Sequence, residues 1–166
     1  MKNETVFSQD IENKKLTVVR AFDAQLEQVW KAWTESELLD LWWAPKPYKA
    51  KTKTMDFREG GMWLYAMIGP EGDTALCRVN WNTIDFHKSI TTDVMFCDEE
   101  GKPNLDFPVM HWKQLYNGTD ANTTVTVEIT FDKQSDLAMI MTMGFQEGFT
   151  AGLSNLDEYL DTQSKI

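Results

Sequence analysis

The sequence has few of the residues that most often identify a site by themselves. It has only two cysteines, Cys77 and Cys97, and neither belongs to a Cys-x-x-Cys unit. Two isolated thiols of this kind are usually free and buried. The two histidines, His87 and His111, lie far apart in the chain. A metal site built on neighbouring histidines therefore has no support in the sequence.

Long apolar runs and an excess of positive charge are also missing. No apolar run approaches the length of about 20 residues that spans a membrane. Residues 1–15 lack the apolar core of a signal peptide. The formal net charge is −10, which would repel nucleic-acid phosphates and anionic membranes. We therefore expect a cytoplasmic protein with neither nucleic acid nor a membrane as its partner.

One short basic segment is an exception to the acidic balance. It contains Lys46, Lys49, Lys51 and Lys53. Lysines on an edge strand discourage pairing with another sheet. We therefore interpret this segment as a solvated strand edge and not as an anion site.

Motifs of nucleotide binding and nucleophilic catalysis are absent as well. The glycine-rich segments lack the Gly-Lys-Ser/Thr of a P-loop, and no dinucleotide fingerprint precedes a helix. No serine or cysteine lies in a recognisable nucleophile elbow. From the sequence we assign no catalytic residue, no metal ligand and no cofactor.

Large apolar side chains are what the sequence has in excess, with seven Trp, nine Phe and nine Met. Such residues fill a large aromatic core, and methionine also suits surfaces that adapt to varied partners. A chain of 166 residues provides a sizeable interior within one domain. We assign that domain to residues 14–166 and expect the polar residues 1–13 to be partly disordered.

The first part of the domain has the pattern of a strand followed by two short helices. Residues 16–22 are rich in strand formers. Asp23 is a candidate N-cap for the first helix, and Ser36 is one for the second. Pro45 then ends the second helix, because proline cannot continue it.

From residue 50 the apolar pattern changes to the period of two that is typical of strands. Gly60-Gly61 and Asn117-Gly118-Thr119-Asp120 are turn signals. Six strands are predicted, over residues 51–58, 62–68, 75–85, 89–97, 109–116 and 124–131. Short turns between them indicate an antiparallel sheet, in which we expect the first strand to pair with the last.

Residues 135–162 have the pattern of one long helix. A stripe of large apolar residues lines one side: Leu137, Met141, Phe145, Phe149, Leu153, Leu156 and Leu160. Beside it, Gly144, Gly148 and Gly152 recur every fourth residue, although each interior glycine costs a helix about 1 kcal/mol relative to alanine. Their spacing predicts close approach by a neighbouring backbone or a bound molecule. Packed on the sheet, this helix gives an α+β domain.

Several short segments resemble one protein superfamily in their order and spacing. They are Val29-Trp30-x-Ala32-Trp33 with Trp42-Trp43, Asp56-Phe57-Arg58-Glu59-Gly60-Gly61, Gly69-Pro70-Glu71-Gly72, and Gly144-Phe145-Gln146-Glu147-Gly148-Phe149. From about residue 16 onward the chain resembles the SRPBCC superfamily, also called START-like or Bet v 1-like. Within it, the chain is most similar to the activator of Hsp90 ATPase homologue 1-like family.

The resemblance implies a helix-grip fold, in which an antiparallel β-sheet wraps around a long C-terminal helix and two short helices follow strand 1. It also implies a hydrophobic cavity between sheet and helix. The chain departs from the family pattern at Phe149, where tryptophan is frequent, and at Phe86-His87-Lys88, where Pro-Glu-Arg is frequent. These departures weaken the transfer of any relative's ligand to this chain.

Candidate lining residues of the implied cavity lie on one face of the predicted strands and on the helix. They are Trp63, Tyr65, Met67, Trp81, Met110, Trp112, Met141, Phe145 and Phe149, with Tyr116 beside them. We expect the cavity to bind a small hydrophobic or amphipathic molecule without a defined reaction. The competing interpretation is that these side chains fill the space themselves.

Two other functions stay open at this stage. A small cyclase- or lyase-type enzyme would need an acid or base in the cavity, for which Tyr65, Tyr116, His111 and Asp56 are the candidates. A co-chaperone would instead act on an Hsp90-type ATPase through its surface. The family name suggests that activity, and we expect it less than ligand binding.

Two expectations concern the surface. Asp56 and Arg58 lie two residues apart in a predicted strand, so they either pair with each other at the turn or hold a polar group. Exposed aromatic residues such as Trp42 or Trp43 would favour a homodimer.

Overall fold

The computed structural model describes residues 4–119 and 121–164. In this part of the chain, eight strands and four helices follow one another. They are β1 (Thr5–Asp10), β2 (Lys15–Phe22), α1 (Leu26–Thr34), α2 (Ser36–Trp42), β3 (Lys49–Met55), β4 (Met62–Ile68), β5 (Thr74–Asp85), β6 (Ser89–Phe96), β7 (Met110–Gly118), β8 (Thr123–Thr130), α3 (Gln134–Thr142) and α4 (Phe145–Ser164).

The strands form one antiparallel sheet in the order β1-β2-β8-β7-β6-β5-β4-β3. In β2 and β8, alternate residues are buried and build the core, as the period of two in the sequence predicts for β8. The first strand predicted from the sequence, residues 16–22, corresponds to β2. Its predicted pairing with the last strand is confirmed, since Val18 of β2 lies opposite Val127 of β8. This sheet and the long C-terminal helix confirm the predicted α+β helix-grip fold. The predicted turn at residues 117–120 joins β7 to β8, although Asp120 lies outside the described residues.

β1 is the element that the sequence did not predict. It pairs with β2 at the edge of the sheet, where backbone hydrogen bonds form whatever the side chains are. Only Phe7 reaches the core, and its ring lies 6.4 Å from those of Phe145 and Phe149. Four of its six residues are exposed, so no apolar alternation marks the strand. The expected disorder of residues 1–3 lies outside the described residues.

The helix caps were predicted wrongly. α1 has Gln25 and not Asp23 at its N-cap. α2 has Glu35 at its N-cap and already includes Ser36. The chain continues past Asp23 before α1 begins, and the Thr123 hydroxyl donates to the Ala24 carbonyl at 2.9 Å in this connection. Neither N-cap side chain bonds its helix, so capping chemistry does not determine where these helices begin.

The predicted single helix over residues 135–162 is interrupted. α3 ends at Thr142, α4 begins at Phe145, and Gly144 lies between them with φ +88°. Glycine adopts this left-handed conformation without the steric penalty that a Cβ would bring. Gly144 is therefore a helix terminator, whereas Gly148 and Gly152 are interior to α4.

Close approach of a neighbouring backbone explains the glycine at position 152. A Cβ placed there would lie 3.2 Å from the carbonyl oxygen of Trp43 and 3.3 Å from that of Trp42. These distances are shorter than ordinary van der Waals contact. The end of α2 therefore passes directly against α4.

α4 is held on the sheet by apolar contacts and by one buried ion pair. Leu153, Leu156 and Leu160 are 1%, 0% and 6% exposed. Arg20 on the inner face of β2 is 4% exposed and donates through Nη2 to the Asp157 carboxylate. A charge buried to this extent requires such a partner.

The surface expectations have mixed outcomes. β3 is an edge strand with Lys49, Lys51 and Lys53 exposed, which confirms the strand-edge interpretation for these residues. Lys46 instead reaches α4 and bonds Glu158 at 2.9 Å. Trp42 is only 1% exposed, so it cannot provide the exposed contact expected for a homodimer.

Trp43 and the two cysteines differ in how deeply they are buried. Trp43 is half-buried and packs against the core, because the end of α2 lies against α4. Cys77 is buried and Cys97 is half-buried, and both are free thiols. The expectation that both cysteines are buried is therefore wrong for Cys97, which follows the end of β6. Within residues 4–119 and 121–164, no helix has the length and hydropathy that a membrane span requires.

Candidate functional site

A cavity of about 230 Å³ lies between the inner face of the sheet and the N-terminal half of α4. Strands β4 to β7 provide its floor, α3 and α4 its roof, and the segment after α2 one wall. The lining residues are Trp43, Pro45, Tyr65, Met67, Cys77, Val94, Met95, Phe96, Met110, Trp112, Ile140, Met143, Gly144, Phe145, Gly148 and Phe149. Most of these side chains are apolar, so the cavity suits an apolar occupant.

Two glycines in the roof leave open space in the cavity because they have no side chains. Phe145 and Phe149 project from α4, but Gly144 and Gly148 contribute no side chain beside them. A Cβ built at Gly148 would find only the Pro45 ring, at 3.8 Å. A larger residue at position 148 would therefore extend into the open space.

An aromatic wall closes one side of the cavity. The ring of Trp43 lies 5.9 Å from that of Trp112 and 6.1 Å from that of Phe149. Trp112 and Phe149 are 5.5 Å apart. Trp43 also donates its indole N–H to the Tyr65 hydroxyl at 2.8 Å. This hydrogen bond fixes the tryptophan ring against β4.

The titratable side chains that line the cavity in the described structure are Tyr65 and Cys77. Burial raises the pKa of the Tyr65 hydroxyl well above its usual range, because the charged phenolate would be poorly solvated there. Burial likewise raises the pKa of the Cys77 thiol to about 12. Both groups are therefore protonated at neutral pH, and neither can act as a general base or as a thiolate nucleophile.

Six of the nine predicted ligand-binding residues line this cavity: Tyr65, Met67, Met110, Trp112, Phe145 and Phe149. The structure places Trp63, Trp81 and Met141 elsewhere. Ligand binding by any of the nine stays a prediction, since the structure establishes only their positions.

The three others lie outside the cavity for different physical reasons. Trp63 faces inward, but its ring stacks on Tyr65 at 4.2 Å between centroids. Trp81 also faces inward and packs edge-on against Phe57 at 4.8 Å. Met141 belongs to α3, and the break after this helix removes it from the apolar stripe of α4.

Trp43, Pro45, Val94 and Ile140 are lining residues that the sequence reasoning missed. Val94 alternates with Ile90 on the inner face of β6, so the period of two was sufficient to find it. Trp43 and Pro45 follow the end of α2, where the apolar helix pattern stops. Nothing in the sequence of this segment indicates that Pro45 lies near Gly148.

Three of the four candidate acids and bases lie outside the cavity. His111 lies on the outer face of β7, where Nδ1 lies 2.8 Å from an Asp93 carboxylate oxygen and Nε2 3.0 Å from one of Asp132. The hydrogen bond to Asp93 is the main cause that raises the pKa of His111. Its position contradicts a role as a cavity acid or base.

The other two candidates are engaged in contacts of their own. Asp56 accepts from Arg58 Nε at 2.8 Å on the surface, which selects the turn-pairing alternative for these residues. Tyr116 donates to Gln114 Oε1 at 2.6 Å in the core. Tyr65 is thus the candidate that the fold brings to the cavity.

A second, more open groove of about 560 Å³ lies between α1 and the turn after β5. Glu27, Glu35 and Glu37 contribute to its rim. It is larger but more polar and more solvent-exposed than the cavity under α4, so it offers less contact to an apolar molecule. Across the described parts of the chain, no three His, Cys, Asp or Glu side chains are grouped to hold a metal ion.

Comparison with known proteins supports the same architecture. The sequence model of the family described as Activator of Hsp90 ATPase homolog 1-like protein matches residues 23–161. No functionally curated protein matches the chain.

Several solved structures are similar over nearly the whole chain. A solution NMR structure from Arthrobacter aurescens has a TM-score of 0.89 at 28% identity, covering 95% of this chain and 91% of that one. A crystal structure from Mycobacterium smegmatis has a TM-score of 0.86 at 25% identity, covering 95% and 97%. A solution NMR structure from Staphylococcus epidermidis has a TM-score of 0.82 at 23% identity, covering 95% and 94%. The last likeness concerns the fold alone.

Proposed function

This chain belongs to the family of activator of Hsp90 ATPase homolog 1-like proteins, and we propose that it binds a small hydrophobic or amphipathic molecule in the cavity under α4. Membership of this family supports a ligand-binding domain in general terms. The finer proposal depends on one observation, the space left between the sheet and the glycine-containing half of the helix. Its apolar lining provides the driving force for binding.

The size of the cavity limits the size of the guest. An engineered apolar cavity of about 150 Å³ accommodates benzene, and the cavity here measures about 230 Å³. Drug-sized ligands occupy pockets of about 300–1,000 Å³. A molecule of one or two rings, or a short alkyl chain, therefore fits without displacement of the roof.

The chemistry of the lining favours binding over catalysis. The enzyme alternative requires a group that accepts a proton near neutral pH. Tyr65 and Cys77 hold their protons because burial raises the pKa of each. Tyr65 can donate a hydrogen bond that orients a guest, but the described lining residues include no base to pair with it.

Thermal unfolding with increasing naphthalene and decanoic acid tests the proposal. Binding to the folded state alone stabilises it by about 2.7 kcal/mol at a ligand concentration of 100 Kd, so Tm should rise with ligand concentration. In the Gly148→Leu variant, a side chain occupies part of the cavity while helix propensity improves. This variant should fold and lose most of the ligand-dependent shift.

Two results would contradict ligand binding in this cavity. One is a constant Tm for the native protein with every probe. The other is an equal shift in the native protein and in Gly148→Leu.

The co-chaperone alternative places the function on the surface instead. Titration of the protein against purified Hsp90, with ATP hydrolysis as the readout, addresses it directly. Stimulation that is equal for the native protein and for Gly148→Leu would show a surface activity independent of the cavity.

A further inference from the structure

The open groove between α1 and the turn after β5, which we call the α1 groove, has an aromatic floor. The Trp30 ring of α1 lies 5.5 Å from that of Phe86 and 6.4 Å from that of Phe57, edge-on to both. Phe86 stacks on His87 at 3.8 Å between centroids. All four side chains line the groove. Phe86 is 67% exposed, so its ring is accessible to a molecule that enters the groove.

The rim of the α1 groove has an excess of negative charge. Glu27, Glu35 and Glu37 contribute to it, and Lys31 is the only lysine or arginine among the described lining residues. Lys31 Nζ lies 3.4 Å from a Glu27 carboxylate oxygen, so these two charges compensate each other. Glu35 and Glu37 have no ion-pair partner in the described parts of the chain. Their negative charge therefore stays uncompensated.

The aromatic floor and the acidic rim favour the same kind of ligand. The face of an aromatic ring carries negative potential and attracts a cation. The carboxylates of the rim attract positive charge as well and repel an anion. With a volume of about 560 Å³, the groove has the size of a small-molecule site. A compact organic cation can contact the rings through its carbon atoms while its charge faces the rim.

We propose that the α1 groove binds a small quaternary ammonium compound, with its cationic head against the Phe86 ring and beside the Glu35 and Glu37 carboxylates. A quaternary ammonium group suits aromatic surroundings, whereas the primary ammonium of lysine is strongly hydrated. No described residue lines both this groove and the cavity under α4. The inference therefore does not depend on the proposed function of the cavity.

A matched pair of probes isolates the contribution of the charge. Choline and 3,3-dimethyl-1-butanol have nearly the same shape, and only choline carries a positive charge. NMR titration of the native protein at physiological ionic strength measures both affinities. Choline should bind about tenfold more tightly than the alcohol, because the rings and the carboxylates attract its charge.

The first variant tests the aromatic contact. Phe86→Leu keeps an apolar side chain in the groove but removes the ring face. It should weaken choline binding about two- to fivefold and leave binding of 3,3-dimethyl-1-butanol nearly unchanged. The side chain is exposed, so the variant should fold like the native protein.

Two double variants test the acidic rim against the net charge of the protein. Glu35→Gln with Glu37→Gln should weaken choline binding about fivefold. Glu99→Gln with Glu100→Gln is the matched control, since these exposed residues lie between β6 and β7 and their substitution changes the net charge by the same amount. The control should leave the affinity for choline unchanged, as should Gly148→Leu in the cavity.

Three results would overturn the inference. They are no binding of choline, equal affinities for choline and the alcohol, and equal weakening by the two double variants, which would assign binding to the net charge alone. None of them bears on the cavity, which naphthalene and decanoic acid probe separately. Conversely, choline binding that persists in Gly148→Leu would support the α1 groove even if both apolar probes fail to bind.

Discussion

The two halves of α4 cover the same sheet in opposite ways. Toward its C-terminus, Leu153, Leu156 and Leu160 are nearly inaccessible and belong to the continuous core. Toward its N-terminus, Phe149 and Gly148 stand over open space. The C-terminal half is close-packed, as protein interiors usually are, and the N-terminal half is not.

The two halves of α4 contribute differently to the free energy of unfolding. Side chains that border open space lack packing partners on that side and forfeit those contacts. The packed half of α4 therefore provides most of the stabilising contact between this helix and the sheet. Stability and cavity are therefore assigned to different segments of one helix, which makes them separable by substitution.

The largest expected effect is in the packed half. Leu156→Ala should lower the free energy of unfolding by about 3 kcal/mol, because it removes buried methyl groups and leaves a void. Urea denaturation measures this loss. Met143→Ala at the cavity, where the side chain is 48% exposed, should cost less than about 1 kcal/mol. Equal losses in the two variants would refute the contrast between the packed half of α4 and the cavity beside its N-terminal end.

A somewhat smaller loss should follow when the ion pair of the packed half is broken. Asp157→Asn leaves the Arg20 guanidinium, which is 4% exposed, without its carboxylate, and should cost about 2 kcal/mol. Glu158→Gln is the control, since its pair with Lys46 is about two-thirds exposed on both sides. Such surface pairs contribute about 0–1 kcal/mol. Denaturation of both variants at low and high salt tests the difference, and only the Glu158 effect should be screened.

The two interior glycines of α4 offer a third comparison. Gly148→Ala should stabilise the protein by up to about 1 kcal/mol, because alanine favours the helix and its Cβ meets only Pro45 at 3.8 Å. Gly152→Ala should be neutral or destabilising, because its Cβ would press on the carbonyls of Trp42 and Trp43. Thermal unfolding of both variants measures the difference. Stabilisation of equal size at both positions would show that the backbone of α2 can move away.

The smallest expected effect concerns pH. His111 bonds Asp132, which precedes α3 and thus the roof of the cavity. Its pKa is raised in the folded state, mainly by the bond to Asp93, so the contribution is complete below the unfolded pKa of about 6.5. It should be lost as pH rises through the folded pKa. The size should stay below about 1 kcal/mol, since the side chain is 39% exposed and screened.

The control for this effect is His111→Gln, which should flatten the dependence of unfolding free energy on pH above 6.5. A dependence that persists unchanged in the variant would assign it to another group.

Residues with a repeating apolar pattern were the ones that could be predicted. The sequence predicted β4 over residues 62–68 and the structure confirms it as Met62–Ile68. Alternation also placed Tyr65, Met67, Met110 and Trp112 on the inner face, since parity along a strand fixes the facing direction. The cavity floor was therefore accessible to sequence reasoning.

What could not be predicted depends on backbone geometry or on approach from elsewhere in the chain. A glycine that ends a helix and one inside a helix look alike in a periodic pattern, so the role of Gly144 was invisible. β1 forms through backbone pairing, which leaves no apolar signature. Whether inward residues such as Trp63 and Trp81 border open space depends on what packs against them. Trp81 packs against Phe57, and alternation along a strand cannot predict such a neighbour from elsewhere in the chain.

The aromatic wall of the cavity gives the protein an internal optical reporter. Two of its seven tryptophans, Trp43 and Trp112, line the cavity with their rings 5.9 Å apart. A guest in the cavity changes the polarity around these two indoles and leaves the other five in their usual surroundings. Fluorescence emission of the unlabelled chain should therefore follow occupancy directly, which makes binding measurable without attaching any dye.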